Sequence, residues 1–413
     1  MKIVLIQHLG FINGQGGTEK ICSFLANGFA ALGYEVIIAT NENIAGGAVF
    51  PLHENVTLTN IYTPDSVQYN LRHIYRYKGE NLFLKLKYKV QRELDKAYNR
   101  KIYRKFGNKD AVYKFNLQQR SKVWNGYLSN TAPDIIITMS LSAVLEINYY
   151  NPCNIPIINS TNGRPDYDYT DILWYRSPVD IQLLKASYKY ITAIQVLFSS
   201  YIHFLPDTFR GKYKVIANPV PQVSNQEIVN HLTKKDRYKI VQIASLVTSK
   251  QQDIAIAIFA NIATKYPDWD LYFWGTGFAF DTLTEKIKKA NLQQRIFLKG
   301  FTDTPLEKLK EADIFIFPSK FEGFPLALTE AMAVGLPSLG FSTCSGVNEL
   351  IKHNENGFLA NDPNEMQQYL EQLICSPELR SYMGANAHNG MKAYSPEIIS
   401  NQWKDLVSEI IFT

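Results

Sequence analysis

The sequence predicts an α/β protein of two domains, each an open parallel sheet flanked by helices, with the two sheets facing one another across a cleft. Three observations predict it. Short apolar runs alternate with helical stretches along both halves of the chain, and glycine loops follow strands at Gly14–Gly17 and Trp274–Gly277. An Asn218-Pro219-Val220-Pro221 stretch, poor in backbone donors and hostile to helix, divides the 413 residues near their middle. That length exceeds what one core of this kind fills, and 46% hydrophobic with 20% charged residues is the balance of an ordinary globular protein.

In chain order, KIVLIQ reads as a buried strand, residues 18–32 as a helix stopped by Gly33, and EVIIAT as the next strand, which makes a right-handed βαβ unit. A basic, helix-like segment from about 70 to 128 interrupts the alternation, which resumes at DIIITMS, IPIINS, ITAIQVLF and KVIANPV. Beyond the linker the series starts again at YKIVQIAS and runs through DIAIAIFANIA, DLYFWGTG, RIFLKG, DIFIFPS and LPSLGF. A last helix over 396–411 places Ile399, Trp403, Leu406 and Ile410 on one side. The expected division is therefore 1–217, 218–395, and a terminal helix at 396–413.

Composition narrows the function classes. No stretch approaches the roughly 20 apolar residues of a membrane span, and the opening reads as a strand rather than a signal peptide. Cys22, Cys153, Cys344 and Cys375 lie far apart without a CxxC pair, which suggests neither a zinc site nor a disulfide framework and suits a reducing cytoplasm. Net charge is +5, yet between Arg72 and Lys122 sixteen Lys/Arg stand against four Asp/Glu. Lys85, Lys87, Lys89, Arg92, Arg104 and Lys105 are interleaved there with Leu82, Phe83, Leu86 and Val90. That pattern fits either a solvated helical insertion or an amphipathic surface on an anionic bilayer. No nucleic-acid motif accompanies it, so nucleic acid is not an expected partner.

The chemistry concentrates in PSKFEGFPLALTE, Pro318 to Glu330, directly after the strand DIFIFPS. Glu322 and Gly323 fall in a turn, Pro325 suits the first turn of a helix, and Gly335 with Pro337 ends it. A helix start aimed into a cleft offers unpaired N–H groups and a partial positive charge, which suits a diphosphate. Neither glycine loop spells GxGxxG with the acidic residue of dinucleotide sites.

Here the chain resembles the retaining family 4 glycosyltransferases, also described as glycosyl transferases group 1, whose hallmark is two glutamates with seven residues between them in a setting like FEGFPLALTEAMAVGLP. GGTEKICSFLANGFAALGYEV, IINSTNGRP, AIQVLFSS, KVIANPV and ENGFLA are similar to further segments of that family, and together they cover most of both halves outside 70–128. The resemblance implies the GT-B fold, two Rossmann-like domains with an acceptor-binding N-terminal and a donor-binding C-terminal half. It implies transfer of a hexose or N-acetylhexosamine from a nucleoside diphosphate sugar, uridine being the default base, to a glycan or lipid-linked acceptor.

Carried over onto this sequence, Glu322 would contact the donor sugar and Glu330 the ribose. Lys250 would hold the diphosphate, with Gly323 and Phe324 at the helix start and Gly16 and Gly17 in the first loop as its neighbours. Gly275 and Phe301 would contact the nucleotide. The family's diphosphate arginine is Ser245 here, which removes one cation from the clamp, and Lys320 is the candidate replacement. Asn162 stands where many members have a histidine. Asp166-Tyr167-Asp168 and Asp268-Trp269-Asp270 spell the Asp-x-Asp that metal-dependent transferases of another fold use, but in a GT-B setting neither is expected to hold a metal, and no cofactor is expected. Two rival readings stay open: a catalytically weak sugar- or nucleotide-binding pseudoenzyme, and a nucleotide-sugar epimerase of related architecture.

Overall fold

The computed structural model describes residues 1–77 and 79–412; Lys78 and Thr413 lie outside them. Two all-parallel sheets organise the chain. The first has seven strands, β1 (Lys2–Ile6), β2 (Glu35–Thr40), β3 (Val56–Asn60), β4 (Ile135–Thr138), β5 (Ile157–Ser160), β6 (Ala193–Val196) and β7 (Lys212–Val215), in the order β3-β2-β1-β4-β5-β6-β7. The second has six, β8 (Tyr238–Ile243), β9 (Trp269–Trp274), β10 (Ile296–Leu298), β11 (Ile314–Phe317), β12 (Ser338–Phe341) and β13 (Gly357–Ala360), in the order β10-β9-β8-β11-β12-β13.

The strands that read as apolar runs are the central ones, covered on both faces: Ile3 to Ile6, Ile135 to Ile137 and Ile314 to Phe317 are all buried. Helix α1 (Gly17–Ala31) lays Ile21, Cys22, Leu25, Ala26 and Phe29 on the first sheet and stops where Gly33 takes φ +82°. In each sheet the strand order reverses beside the first strand, at β1/β4 and at β8/β11. Such a switch point leaves a crevice at the carboxyl ends of the strands, and both crevices open into the same cleft.

The 70–128 segment differs from the expectation. It is a hairpin of α2 (Leu82–Phe106) and α3 (Lys109–Thr131), each capped by an asparagine side chain, Asn81 and Asn108. Only α2 is peripheral, burying just Asp95, Asn99 and Ile102. Helix α3 is part of the first domain's core, with Leu117, Trp124 and Leu128 buried and the Trp124 indole donating to Glu146 at 2.9 Å. The charge of the segment hid that apolar stripe. The extended chain before α2 is fixed by two asparagines, Asn99 bonding the N–H and C=O of Arg72 and Asn116 those of Tyr69, at 2.8–2.9 Å. Strands β3 and β13, of five and four residues, are not among the strands expected from the sequence.

The terminal helix Pro396–Ile411 returns to the first half, where Ser400 lies against Gly28 of α1 and Lys212 pairs with Glu409 at 3.0 Å. Its buried face is Ile399, Trp403, Leu406 and Val407. Val220 N–H donates to the Tyr394 carbonyl at 2.8 Å, so the chain's outward and return crossings between the halves run side by side. Among the described residues no helix is long and apolar enough to cross a membrane.

Two histidines, the half-buried His8 and the buried His231, are held neutral. His8 and His231 both have pKa values lowered from the usual 6.5, chiefly by desolvation, and the His231 Nε2–H donates to the Gly335 carbonyl at 2.8 Å. Below about pH 6.5 the unfolded chain therefore binds more protons than the folded one, so stability is fully present above that pH and falls as the pH drops toward the folded values. Urea midpoints should fall between about pH 7.5 and pH 5.5, and His231→Gln should flatten that slope. A midpoint constant across the range would contradict it.

Candidate functional site

The cleft holds a cavity of about 1110 Å³ where the two crevices meet. Two helix starts face into it. Helix α1 begins after Gly16, and the helix Leu326–Ala333 begins after Pro325, one residue later than expected; neither has a side-chain cap. Gln15, Gly16, Gly17 and Thr18 line one wall and Pro325, Leu326 and Ala327 the other. Uncapped first-turn N–H groups carry the positive end of each helix dipole, so both ends raise the potential in the same space.

Both glutamates are at this junction. Glu322 accepts from Lys250 Nζ at 2.6 Å, and Glu330 from Lys20 Nζ at 2.5 Å, across the cleft. Their side chains are only 9% and 7% exposed, so each carboxylate depends on its single lysine for compensation. The two lysines cancel the charges of these two glutamates, Asp303 and Glu307 also line the cavity, and the two helix starts bring positive potential to the space between its walls. Cys344 offers no nucleophile here, because burial and the neighbouring Glu322 carboxylate push its thiol pKa far up.

Gly323 joins the halves. A Cβ there would overlap the Asn162 carbonyl oxygen and the Gly163 Cα, and a Cβ on Gly346, at φ +79°, would overlap the Gly323 carbonyl. Tyr201 OH donates to that carbonyl at 2.9 Å, and Phe324 stacks on Phe198 with centroids 5.5 Å apart. Gly275, at φ +141°, is required in the same way, since a Cβ would strike the Ala244 carbonyl. Its N–H donates to the Gly300 carbonyl at 2.7 Å, which places Trp274, Gly275 and Thr276 in the cavity opposite the half-exposed Phe301.

Of the residues singled out in the sequence, Gly16, Gly17, Asn162, Ser245, Lys250, Gly275, Phe301, Glu322, Gly323, Phe324 and Glu330 all line this one cavity. Lys320 does not. It is exposed, its ammonium 5.6 Å from the Trp174 ring centroid and 5.2 Å from that of Phe321. The second cation in the cavity is Lys20, which the sequence reading missed; its signal is its place in the first turn of a helix that starts at a glycine loop. Thr302 and Asn218 are further lining residues not foreseen. Asn162 donates its side-chain amide to the Met139 carbonyl at 2.5 Å. Lys85, Lys87, Lys89, Arg92, Arg104 and Lys105 sit on α2, outside the cavity.

Three of the four Asp-x-Asp carboxylates, those of Asp166, Asp168 and Asp270, are engaged by arginines. Asp166 takes both arms of Arg164 at 2.7 and 2.9 Å, and Asp168 takes Arg176 at 3.1 Å. Asp270 takes Arg237 and Arg295 at 2.5–2.8 Å.

Residues 224–390 match the family described as glycosyl transferases group 1. The second half of the chain is thus similar to that family. The whole chain also has the GT-B architecture of solved glycosyltransferases. It superposes with a TM-score of 0.72 on a mutant of S. aureus TarM in complex with fondaparinux, an α-GlcNAc-glycerol and UDP, at 16% identity over 98% of this chain and 99% of that one. With Anabaena HepE in complex with UDP and glucose the TM-score is 0.70, at 15% identity over 99% of each chain. Among curated relatives, an uncharacterised glycosyltransferase of Haemophilus influenzae is 32% identical over 180 residues, 43% of this chain and 51% of that protein. A poly(ribitol-phosphate) α-N-acetylglucosaminyltransferase of Staphylococcus aureus is 27% identical over 194 residues, 46% of this chain and 37% of that protein. The alignments thus span about half or less of these relatives.

Gly323→Ala should hold the halves apart, because neither backbone facing that Cβ can withdraw without opening the cleft. Small-angle scattering is expected to show a larger radius of gyration with an unchanged circular dichroism spectrum, and an unaltered scattering profile would speak against this.

Proposed function

We propose that the chain is a retaining glycosyltransferase that moves a hexose or N-acetylhexosamine from a nucleoside diphosphate sugar, with uridine as the base, to a glycan or lipid-linked acceptor. The setting is assembly of a cell-surface polysaccharide, lipopolysaccharide or glycoprotein glycan. One observation carries the reading: two uncapped helix starts and Lys250 converge on a single cavity that also holds Glu322 and Glu330. The names of the relatives and the UDP bound by structural neighbours support it.

In this reading the diphosphate lies between the two helix starts, with Lys250 and Lys20 as its cations in place of the arginine that Ser245 replaces. Binding exchanges partners: phosphate takes Lys250 from Glu322, and the ribose hydroxyls take Glu330 from Lys20. The base end lies toward Gly275 and Phe301. As the bond from the anomeric carbon to the phosphate oxygen breaks, its electron pair leaves on the diphosphate, where the N–H groups and lysines stabilise the charge. The acceptor hydroxyl then bonds to the anomeric carbon from the same face and passes its proton to the leaving phosphate oxygen. Glu322 orients the sugar. The positive charge needed comes from these groups, so the reaction is proposed to run without a metal, Asp166, Asp168 and Asp270 being held by arginines.

Calorimetry should show UDP binding to the full chain. Lys250→Ala should weaken it by roughly 10- to 100-fold, while Glu322→Gln should keep UDP affinity and lower transfer by at least about 100-fold. Absence of binding by UDP and other nucleoside diphosphates ends the proposal. Binding without turnover across many acceptors would favour a binding protein, the reading that Ser245 supports, and acceptor-independent interconversion of the donor would make the chain an epimerase.

We further propose a cytoplasmic location on the inner face of the membrane, reached through α2. Leu82, Phe83, Leu86, Val90 and Leu94 are each more than half exposed along one side of that helix, next to Lys85, Lys87 and Lys89. Lys105 is committed elsewhere, donating to Tyr69 OH at 2.6 Å, and the four cysteines are free thiols. Charge-neutralising Lys85, Lys87 and Lys89 should lower binding to phosphatidylglycerol vesicles by about tenfold or more; unchanged binding overturns the location.

A further inference from the structure

A second cavity, of about 410 Å³, opens on the far side of Glu322 from the donor space. It shares Asn162, Glu322 and Gly323 with the first, and its own walls are aromatic: Tyr167, Trp174, Tyr175 and Phe321. Its size is within the range of roughly 300–1,000 Å³ for small-molecule sites. Trp174 and Tyr175 are 66% and 65% exposed, so their rings are not packed as core. Trp174 also has φ +51°, a left-handed backbone that a bulky residue adopts only at a cost and that the surrounding structure must hold.

That holding is visible. Arg176 lies 5.0 Å from the Tyr175 ring centroid and is pinned at 3.1 Å to both Asp168 and Asp180. Phe321 is set edge-on to Tyr167 at 5.8 Å and stands 5.9 Å from Trp174. The lining therefore presents exposed, fixed aromatic faces, with polar groups of Asn162, Ser249 and Glu322 among the remaining walls.

We propose that this cavity is the acceptor subsite and that it takes a pyranose ring, stacked on Trp174 with Tyr175 and Phe321 as flanking walls. A pyranose matches both parts of the lining, since its C–H faces are apolar and its edge carries hydroxyls, whereas a polyol phosphate chain has no flat face to stack and a lipid tail has no use for the polar groups. The assignment rests on the proposed transferase reading, because Glu322 is the wall common to both cavities and a ring stacked on Trp174 presents a hydroxyl toward the donor sugar. It names the acceptor class, a glycan ending in a hexopyranose, and gives the strained tryptophan a role in specificity.

The test uses the full chain, titrated with maltose, cellobiose and N,N′-diacetylchitobiose, and with glycerol phosphate and ribitol phosphate as ring-free probes. Binding is followed by saturation-transfer NMR with and without UDP. At least one disaccharide is expected to bind saturably, and Trp174→Ala and Tyr175→Ala each to weaken it by about tenfold or more, with Trp174→Phe largely restoring it and UDP affinity unchanged in all three. Disaccharide binding that ignores both alanine variants, binding of the ring-free probes in preference to the disaccharides, or no disaccharide binding at all overturns the assignment. Failure of the transferase reading registers separately, as wild-type protein that does not bind UDP.

Discussion

Three backbone segments from three parts of the chain meet at Gly323 with no room for a side chain. The Asn162–Gly163 turn presses on it from the first half, Gly346 closes on its carbonyl from within the second, and the Tyr201 hydroxyl holds that carbonyl in place. Glu322 precedes this contact and the helix Leu326–Ala333 follows it, so the position of the carboxylate and the aim of the helix are both set by one close approach. Were the turn bulkier, the two crevices would remain separate features of separate sheets, and the Lys20–Glu330 pair could not span the space between them.

Electrostatics follow from that geometry. Two carboxylates are taken nearly out of water at the meeting of two positive helix ends, and each is matched by a lysine, one from the loop after β8 and one from α1 in the opposite half. Each pair cancels its own two charges, which limits the desolvation penalty of holding these four groups in a narrow space. A ligand carrying its own negative charge and hydroxyls enters by substitution of partners, and the helix ends supply the attraction that the pairs do not already use.

Much of this architecture could be read from the residues, because it rests on local regularities. The central strands are continuous apolar runs, and all of them formed where the alternation placed them. The turn at Glu322 and Gly323 could be placed because a buried strand before it and a proline and glycine around the following helix bracket it closely. The misses have a common physical cause. Helix α3 buries Trp124 and Leu128 beneath a surface dense in Lys and Arg, so its apolar stripe is masked by its charge. Lys20 and Lys320 differ only in where their stems point: Lys320 follows Phe321 and Trp174 out to solvent, while Lys20 reaches across to Glu330, and sequence spacing carries no information on contacts 310 residues apart. Cross-half contacts such as Arg164 to Ser345 and Ser200 to Glu349 were illegible for the same reason.

The paired crossings at Val220 and Tyr394 have a mechanical consequence. The polypeptide leaves the first half and re-enters it through one narrow neck, and the returning helix is fastened back onto α1. Relative movement of the halves is thereby reduced to bending and twisting at a single pivot, and Gly323 lies close to it, the ring of the adjacent Phe324 being 5.5 Å from that of Tyr394. A few degrees of rotation at the neck therefore moves that tight backbone contact little, and the displacement grows toward the parts of the two sheets farthest from it.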